Sequence, residues 1–378
     1  MLKAKADANP RARDLGLPLR GTPGPYNAIT DVPGIEVGYC TLKSLAGRPG
    51  ERQIYTGVTA VLPRGHSRLA TPVWAGSFTF NGNGDMTGTH WIDDAGYFLG
   101  PVCLTNTHSL GIVHHAAVGW MIEQYSDYFR KHYAWALPVV AETYDGLVND
   151  ICGRHVKEEH ALRAITDARG GPVEEGNVGG GAGNATYEFK GGTGTSSRRV
   201  EIEGHTHTVG VLVQSNFGTR REFNLCGVPV GLHMPEDALM SAGGGHELGS
   251  IIVLIATDAP LSPIQLQRLA KRGALGIGRT GTSGGHYSGD LMLAFSVANE
   301  TYLPALGEPQ PHTFRADWLN DAHLDALYAA TVAAVEESVL NALVTAQTVP
   351  VIRPAGAELK AIDHSRLLSV LRQYGRTI

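Results

Sequence analysis

One serine in the chain stands where a polypeptide could cut itself. Ser250 follows a glycine-rich stretch that ends at Gly249, and it precedes the apolar run 251–257, in which β-branched residues predominate. A flexible approach followed by a rigid strand would hold the Gly249–Ser250 peptide bond at a strand edge. A serine released there as a new N-terminus would carry a hydroxyl nucleophile and an α-amine base on one residue. The alternative is that Ser250 simply begins a strand after a loop.

Polar residues also stand at the ends of two other predicted strands. Asn216 follows the strand 209–214, and its side-chain amide could donate a hydrogen bond to a developing oxyanion. Tyr144 follows the strand-like run 136–142, and its phenol could donate to an oxyanion or steer a proton. Taken singly, Asn216 also fits a turn, and Tyr144 also fits a packing role.

Ser288 and Asp290 alternate into a further predicted strand, 291–297. A carboxylate at Asp290 could hold a protonated amine, either directly or through Ser288. The alternative interpretation is a capped, solvated turn. If these strand ends converge at one edge of a sheet, their polar side chains surround Ser250.

Three other patterns do not support a site. The pattern GxSxG occurs at 281–285, but a nucleophile elbow needs a strand before it and a helix after it, and here the predicted order is reversed. The glycine run 179–183 lacks a complete dinucleotide fingerprint and no GKS or GKT follows it. Among the 16 histidines, His205 and His207 could share a strand face, but no third ligand stands out and HExxH is absent. We therefore expect neither a metal nor a cofactor.

The elements that must position these residues follow from periodicity and turn signals. Residues 1–25 are expected to form an irregular arm, 27–40 two short strands around a Pro-Gly turn, and 176–197 a long glycine-rich loop. Ser109 and Ser262 are expected to cap helices, the second with Pro263 in its first turn. Many connections are too short for βαβ crossovers, so a layered α/β sandwich is favoured over a doubly wound sheet. The predicted helices cover 110–124, 151–168, 324–346, 367–373 and the segment after Ser262, and further strands cover 58–62, 200–204 and 206–214.

Composition restricts the class of protein. The chain has 378 residues, 43% of them hydrophobic and 18% charged, which is typical of a globular protein with one large domain or two ordinary ones. A net charge of -5 without a basic cluster argues against nucleic-acid binding. No signal peptide and no apolar run of membrane-spanning length is apparent, so no membrane partner is expected. The four cysteines lie far apart and are expected to be reduced thiols in a cytoplasmic protein.

Several segments, in order along nearly the whole chain, resemble the DmpA family of N-terminal-nucleophile aminopeptidases. This family includes L-aminopeptidase/D-Ala esterase-amidases and β-peptidyl aminopeptidases. The segments are ITDVPGIEVGY at 29–39, FNGNGDMTG at 80–88, ETYDG at 142–146, EGNVGGGAG at 175–183, VLVQSNFGTR at 211–220, GSIIVLIATDAPL at 249–261, RTGTSGG at 279–285 and YSGD at 287–290.

The resemblance implies a single four-layer αββα sandwich, 1–378, that cleaves itself into an α chain, 1–249, and a β chain, 250–378. It implies that Ser250 is the nucleophile, that Tyr144 and Asn216 serve the oxyanion, and that Ser288 and Asp290 position the Ser250 amine. Glu142 would pair with the ammonium group of the substrate. The expected substrate is a small peptide or an amino-acid amide or ester, cut without a metal, and the expected assembly is a homo-oligomer, a tetramer of αβ heterodimers.

One residue departs from part of the family, and two other functions remain as alternatives. Some β-peptidase members have Glu where this chain has Asp290, which leaves the preference for β-peptides open. An acyltransferase resembling ornithine acetyltransferase also cleaves itself within a related fold, but that class uses threonine where this chain has Ser250. The third interpretation is an inactive scaffold of the same fold.

Overall fold

The computed structural model describes residues 9–45, 52–239, 249–300, 312–313 and 315–376. Within these residues, fourteen strands and eight α-helices alternate irregularly along the chain. The strands are β1 Glu36–Ser44, β2 Ile54–Leu62, β3 Val73–Gly82, β4 Tyr97–Phe98, β5 Val102–Asn106, β6 Val139–Thr143, β7 Ala185–Thr186, β8 Phe189–Lys190, β9 Gly192–Ile202, β10 His205–Asn216, β11 Ser250–Thr257, β12 Gly289–Ser296, β13 Val349–Pro350 and β14 Glu358–Leu359. The helices are α1 Thr89–Ala95, α2 Leu110–Gln124, α3 Ser126–Lys131, α4 Glu158–Thr166, α5 Val230–His233, α6 Pro263–Gly278, α7 Leu324–Val344 and α8 His364–Gln373.

Two mixed sheets form the centre of the molecule. The larger sheet has the order β4-β3-β12-β11-β10-β9, and the smaller one has the order β1-β2-β5-β6. In the larger sheet, β11 pairs antiparallel with β10 and parallel with β12. Every residue of β11 is buried, because apolar side chains on both faces of this central strand are covered.

Helices cover the outer face of each sheet. Helices α2 and α4 pack on the smaller sheet, and α6 and α7 pack on the larger one. Three apolar cores follow from this order: one between the two sheets, one under α2 and α4, and one under α6 and α7. The expected four-layer αββα sandwich is therefore confirmed.

The segment 176–197 is not the surface loop that its glycines suggest. Most of it is buried, and it contains β7, β8 and the first half of β9. A Cβ at Gly194 would lie 1.9 Å from the carbonyl oxygen of Ser338 in α7, so the small residues of β9 let that helix approach the strand directly. The prediction of a surface loop was wrong because glycine here serves close packing, and even its 3-10 turn, Gly179–Gly183, is fully buried.

Several element boundaries also differ from those expected. The helix expected over 151–168 is a 3-10 turn, Ile151–Gly153, followed by α4, because Arg154 adopts a left-handed conformation between them. The first short strand expected after Asn27 is a 3-10 turn, Ile29–Asp31. Ser109 precedes α2 but makes no capping hydrogen bond with its side chain. Ser262, in contrast, accepts from the backbone N–H of Gln265 and caps α6 as expected.

Helix α7 corrects the expectation that no apolar run could span a membrane. The segment Asp321–Val344 is long and apolar enough by length and composition, but 72% of its apolar window is buried within the protein. Burial against β9, β10 and α6 is typical of the core helix of a globular fold.

Candidate active site

Ser250 is the first residue of β11 and lies between two neighbouring strands. It is opposite Asn216, the last residue of β10, and opposite Gly289, the first residue of β12. Three of the predicted segments therefore converge at one end of the larger sheet, where β11 and β12 begin and β10 ends, as the sequence suggested. Ser250 is 5% exposed, so its hydroxyl is largely withdrawn from bulk water.

The peptide bond before Ser250 is held by its surroundings. The Ser250 hydroxyl donates to the carbonyl oxygen of Gly249 at 2.7 Å, and the backbone N–H of Gly289 donates to the same oxygen at 3.1 Å. A Cβ at position 249 would lie 2.6 Å from the Phe217 Cα and 2.7 Å from the Asn216 carbonyl oxygen, so glycine is required by space. A polarised carbonyl thus lies next to a hydroxyl at a position that only glycine fits.

The side-chain amide of Asn216 is fixed by two backbone groups. Its Oδ1 accepts from the N–H of Ala185 at 2.8 Å, and its Nδ2 donates to the carbonyl oxygen of Tyr144 at 2.9 Å. Because one partner can only donate and the other can only accept, the orientation of the amide is determined. Among the described residues, no second acceptor engages Nδ2, which leaves its other hydrogen for a group bound beside Ser250.

Tyr144 reaches the site through its backbone. Its carbonyl oxygen holds Asn216, whereas its side chain is 51% exposed and its hydroxyl lies above Gly146. Within the described residues, the phenol of Tyr144 makes no hydrogen bond. That this phenol donates a hydrogen bond to an oxyanion stays a prediction.

Ser288 and Asp290 form a buried pair on the other side of Ser250. The Ser288 hydroxyl donates to Asp290 Oδ1 at 2.6 Å, and Asn81 Nδ2 donates to Asp290 Oδ2 at 2.8 Å. Burial raises the pKa of Asp290, while hydrogen bonds from Ser288, Asn81 and the backbone of Ile251 lower it. The Asp290 carboxylate therefore lies beside the backbone of Ile251, next to the position that the α-amine of Ser250 would take after cleavage.

Glu142 lies behind the same strand end. Its Oε1 accepts from the N–H of Asp85 at 3.0 Å, and its Oε2 accepts from the hydroxyl of Thr107. A Cβ at Gly84 would touch both Glu142 Oε1, at 3.1 Å, and Gly289 Cα, at 3.5 Å, which places this carboxylate beside the start of β12. Burial raises the pKa of Glu142 against the hydrogen bonds that lower it.

Sequence reasoning missed three contributors to the site. Asn81 orients Asp290, Gly84 makes room beside Glu142, and the backbone N–H of Gly289 polarises the Gly249 carbonyl. The segment FNGNGDMTG was available as part of the family resemblance, but no local pattern indicates that its first asparagine faces a carboxylate on a different strand.

Three further features of the sequence concern other kinds of site. The 281–285 glycine loop follows α6 and precedes β12, which is not the order of a nucleophile elbow. Within the described part of the chain, no group of three or more His, Cys, Asp or Glu side chains is placed to hold a metal ion. All four cysteines, Cys40, Cys103, Cys152 and Cys226, have free thiols.

Comparison with known proteins gives consistent results over almost the full length. The family model for peptidase family S58 matches residues 27–354. The beta-peptidyl aminopeptidase BapA of Sphingosinicella microcystinivorans is 47% identical, with 99% of this chain and 94% of that protein covered. The structure of L-aminopeptidase D-Ala-esterase/amidase from Ochrobactrum anthropi, a variant of the Ntn hydrolase fold, matches with a TM-score of 0.92 at 50% identity, covering 98% of this chain and 100% of that one. The beta-aminopeptidase of a Burkholderia species matches with a TM-score of 0.86 at 43% identity, covering 97% and 99%.

Proposed function

The chain belongs to peptidase family S58, and we propose that it is an aminopeptidase that creates its own nucleophile by cutting the Gly249–Ser250 bond. It is a hydrolase with the Ntn fold, in which the nucleophile is the N-terminal residue of a processed chain. The substrates that we propose are peptides, amides or esters with a small N-terminal amino acid.

The proposed self-cleavage uses contacts already present before Ser250. The hydroxyl oxygen of Ser250 attacks the carbonyl carbon of Gly249, and the N–H of Gly289 stabilises the oxyanion that forms. Collapse of this intermediate breaks the bond to the Ser250 nitrogen and leaves an ester. Water then opens the ester, which releases the Gly249 carboxylate and restores the hydroxyl beside a new α-amine.

In the processed enzyme, the α-amine of Ser250 acts as the base for its own hydroxyl. An α-amine has an ordinary pKa of about 7.7–8.0, so a useful fraction is unprotonated near neutral pH. The buried carboxylate of Asp290, with Ser288 between, stabilises the ammonium after it accepts the proton. The free Nδ2 hydrogen of Asn216 donates to the substrate oxyanion, and Tyr144 is the candidate second donor.

Glu142 is proposed to bind the substrate ammonium. Its carboxylate lies beside Gly289 at the edge that carries Ser250, and a buried charge at this position favours a cationic partner. A requirement for a free ammonium next to the scissile carbonyl would restrict cleavage to the bond after the first residue of a substrate.

Assembly and location are further parts of the proposal. We propose a homo-oligomer, a tetramer of αβ heterodimers, in the cytoplasm. The four free thiols are compatible with a reducing compartment.

The observation that carries the proposal is the convergence of Gly249, Ser250, Asn216 and Asp290 at one sheet edge. The test is release of L-Ala, D-Ala or β-Ala from the corresponding amides by purified wild-type protein and by Ser250→Ala. We expect the wild type to release at least one of them and Ser250→Ala to release none.

Two results would contradict this function. Activity that Ser250→Ala retains would place the nucleophile elsewhere. Transfer of acetyl groups to ornithine without release from any amide would favour the acyltransferase alternative.

A further inference from the structure

A small cavity opens beside Ser250 on the side of β10. Its volume is about 240 Å³, below the range of about 300–1,000 Å³ that drug-sized ligands occupy, so it suits one small residue. Tyr144, Asn216, Phe217 and Gly249 form the wall next to the proposed nucleophile. The cavity shares Tyr144, Asn216 and Gly249 with the site described above, so it adjoins that site and offers space for part of a substrate.

Among the described residues, two charged side chains line this cavity, and they differ in the contacts that they make. The Glu188 carboxylate is buried, accepts from the N–H of Arg220 at 3.0 Å and lies near the Arg220 guanidinium. The Arg353 side chain is exposed at the cavity, and no hydrogen bond or ion pair engages it among the described residues. Within the described part of the cavity wall, Arg353 is thus the cation that can bind an anionic partner.

Charge is distributed unequally across the sheet edge. The carboxylates of Glu142 and Asp290 lie on the β12 side of Ser250, whereas Arg353 lies with Asn216 and Phe217 on the β10 side. Neighbouring strands are about 4.8 Å apart, so β10 and β12 are separated by about 10 Å across β11. An extended dipeptide is about 7 Å long, and the flexible stem of arginine can close the remaining gap.

We propose that Arg353 is a specificity-determining residue that binds the carboxylate of the leaving residue. This inference rests on the proposed function, since it places the substrate ammonium at Glu142 and the scissile carbonyl at Ser250. A zwitterionic dipeptide then binds with its ammonium at Glu142 and its carboxylate at Arg353. The guanidinium binds a carboxylate through two parallel N–H donors.

A carboxylate on the leaving residue can come from two sources. It is the α-carboxylate in a dipeptide, or the side chain of an acidic residue in a longer peptide. One peptide with only the α-carboxylate and one with only the acidic side chain distinguish the two sources. A neutral peptide with neither group is the reference for both.

The experiment compares three peptides whose N-terminal residue is the one that the wild type releases fastest from an amide. They are X-Ala with a free carboxylate, X-Ala amide, and X-Asp amide. Each is tested with wild type, Arg353→Ala, Arg353→Lys, and Arg130→Ala as a matched loss of an exposed arginine on α3. The readout is kcat and KM for release of X.

We expect Arg353→Ala to lower kcat/KM for X-Ala by about tenfold, mainly through KM, because a charge-assisted hydrogen bond to the ground state is lost. Release from X-Ala amide should stay unchanged, Arg353→Lys should recover part of the loss, and Arg130→Ala should behave as wild type. A similar loss on X-Asp amide would extend the same site to acidic side chains.

Equal effects of Arg353→Ala on the acids and on the neutral amide, or no effect on either acid, would overturn the inference. That result differs from failure of the proposed function, in which the wild type itself releases nothing from any of the three peptides.

Discussion

At the scale of single residues, Gly249 is a position in the site at which neighbouring backbone leaves no room for a side chain. A Cβ there would lie 2.6 Å from a backbone atom of Phe217, which cannot move as a flexible side chain does. We therefore expect Gly249→Ala to displace the carbonyl from the Ser250 hydroxyl and the Gly289 N–H, and to slow self-cleavage by about tenfold or more. Intact mass measured over time after purification gives the rate.

A second glycine controls for the added methyl group. A Cβ at Gly111, in the exposed first turn of α2, would contact nothing within 4 Å, so Gly111→Ala should be processed at the wild-type rate. If Gly249→Ala is processed as fast as Gly111→Ala, the close approach around the proposed scissile bond has no role in cleavage.

Asn216 tests the oxyanion assignment in the processed enzyme. Because its amide is fixed by Ala185 and Tyr144 and keeps one free hydrogen, Asn216→Ala should lower kcat by about 10²–10³ with little change in KM. The measurement needs protein that is already cleaved, since self-cleavage passes through a similar oxyanion. A near-normal kcat on an alanine amide would leave Asn216 as a residue that only orders the end of β10.

Local patterns explain which of these residues could be predicted. Ser250, Asn216 and Asp290 each stand where an apolar strand begins or ends, so the sequence itself marks them as polar groups at a sheet edge. Asn81 could not be found in this way, because its partner Asp290 is 209 positions away and the contact exists only once β3 and β12 are paired.

At the scale of elements, the turn that follows β6 carries a buried charge. Asp145 is fully buried directly after Tyr144, and burial raises its pKa to about 7 although hydrogen bonds from Thr56, Asn149 and Asn106 lower it. An aspartate has a pKa of about 3.9 when unfolded, so its contribution is complete below about pH 4 and is lost as the pH rises through about 7. The ionised carboxylate therefore destabilises the fold at higher pH.

Asp145→Asn should remove this penalty. We expect its melting temperature to exceed that of the wild type by a few degrees at about pH 8 and by clearly less at about pH 5. Thermal unfolding of both proteins at the two pH values measures the difference. A shift of the same size at both would mean that the Asp145 carboxylate does not titrate between them.

Elements with strong local signals were predicted well, and those defined by packing were not. Helix α6 carries its own start signal in Ser262 and Pro263, and α7 carries a long apolar pattern, so both appear close to their expected bounds. The first half of the buried strand β9 was missed, because its glycine and small polar residues match a loop in composition, and only contact with α7 explains them.

At the scale of the whole molecule, layering brings the site together. The central strand β11 of the larger sheet is buried between the smaller sheet on one face and α6 and α7 on the other. Its first residue lies close to the end of β6 in the smaller sheet. Connections too short for βαβ crossovers predicted a layered α/β sandwich. The order of the four layers was predicted only by the family resemblance. Pairing between distant strands leaves little local trace in a sequence.

The mass of the purified protein tests the central claim most directly. If Ser250 becomes a nucleophile by self-cleavage, denaturing mass spectrometry will show two chains, Met1–Gly249 and Ser250–Ile378, and sequencing of the second will begin Ser-Ile-Ile. Ser250→Ala, expressed and purified identically, will show one chain of 378 residues. A wild-type protein that is active on an amide while it remains one uncut chain, or a Ser250→Ala protein cut after Gly249, would contradict the account.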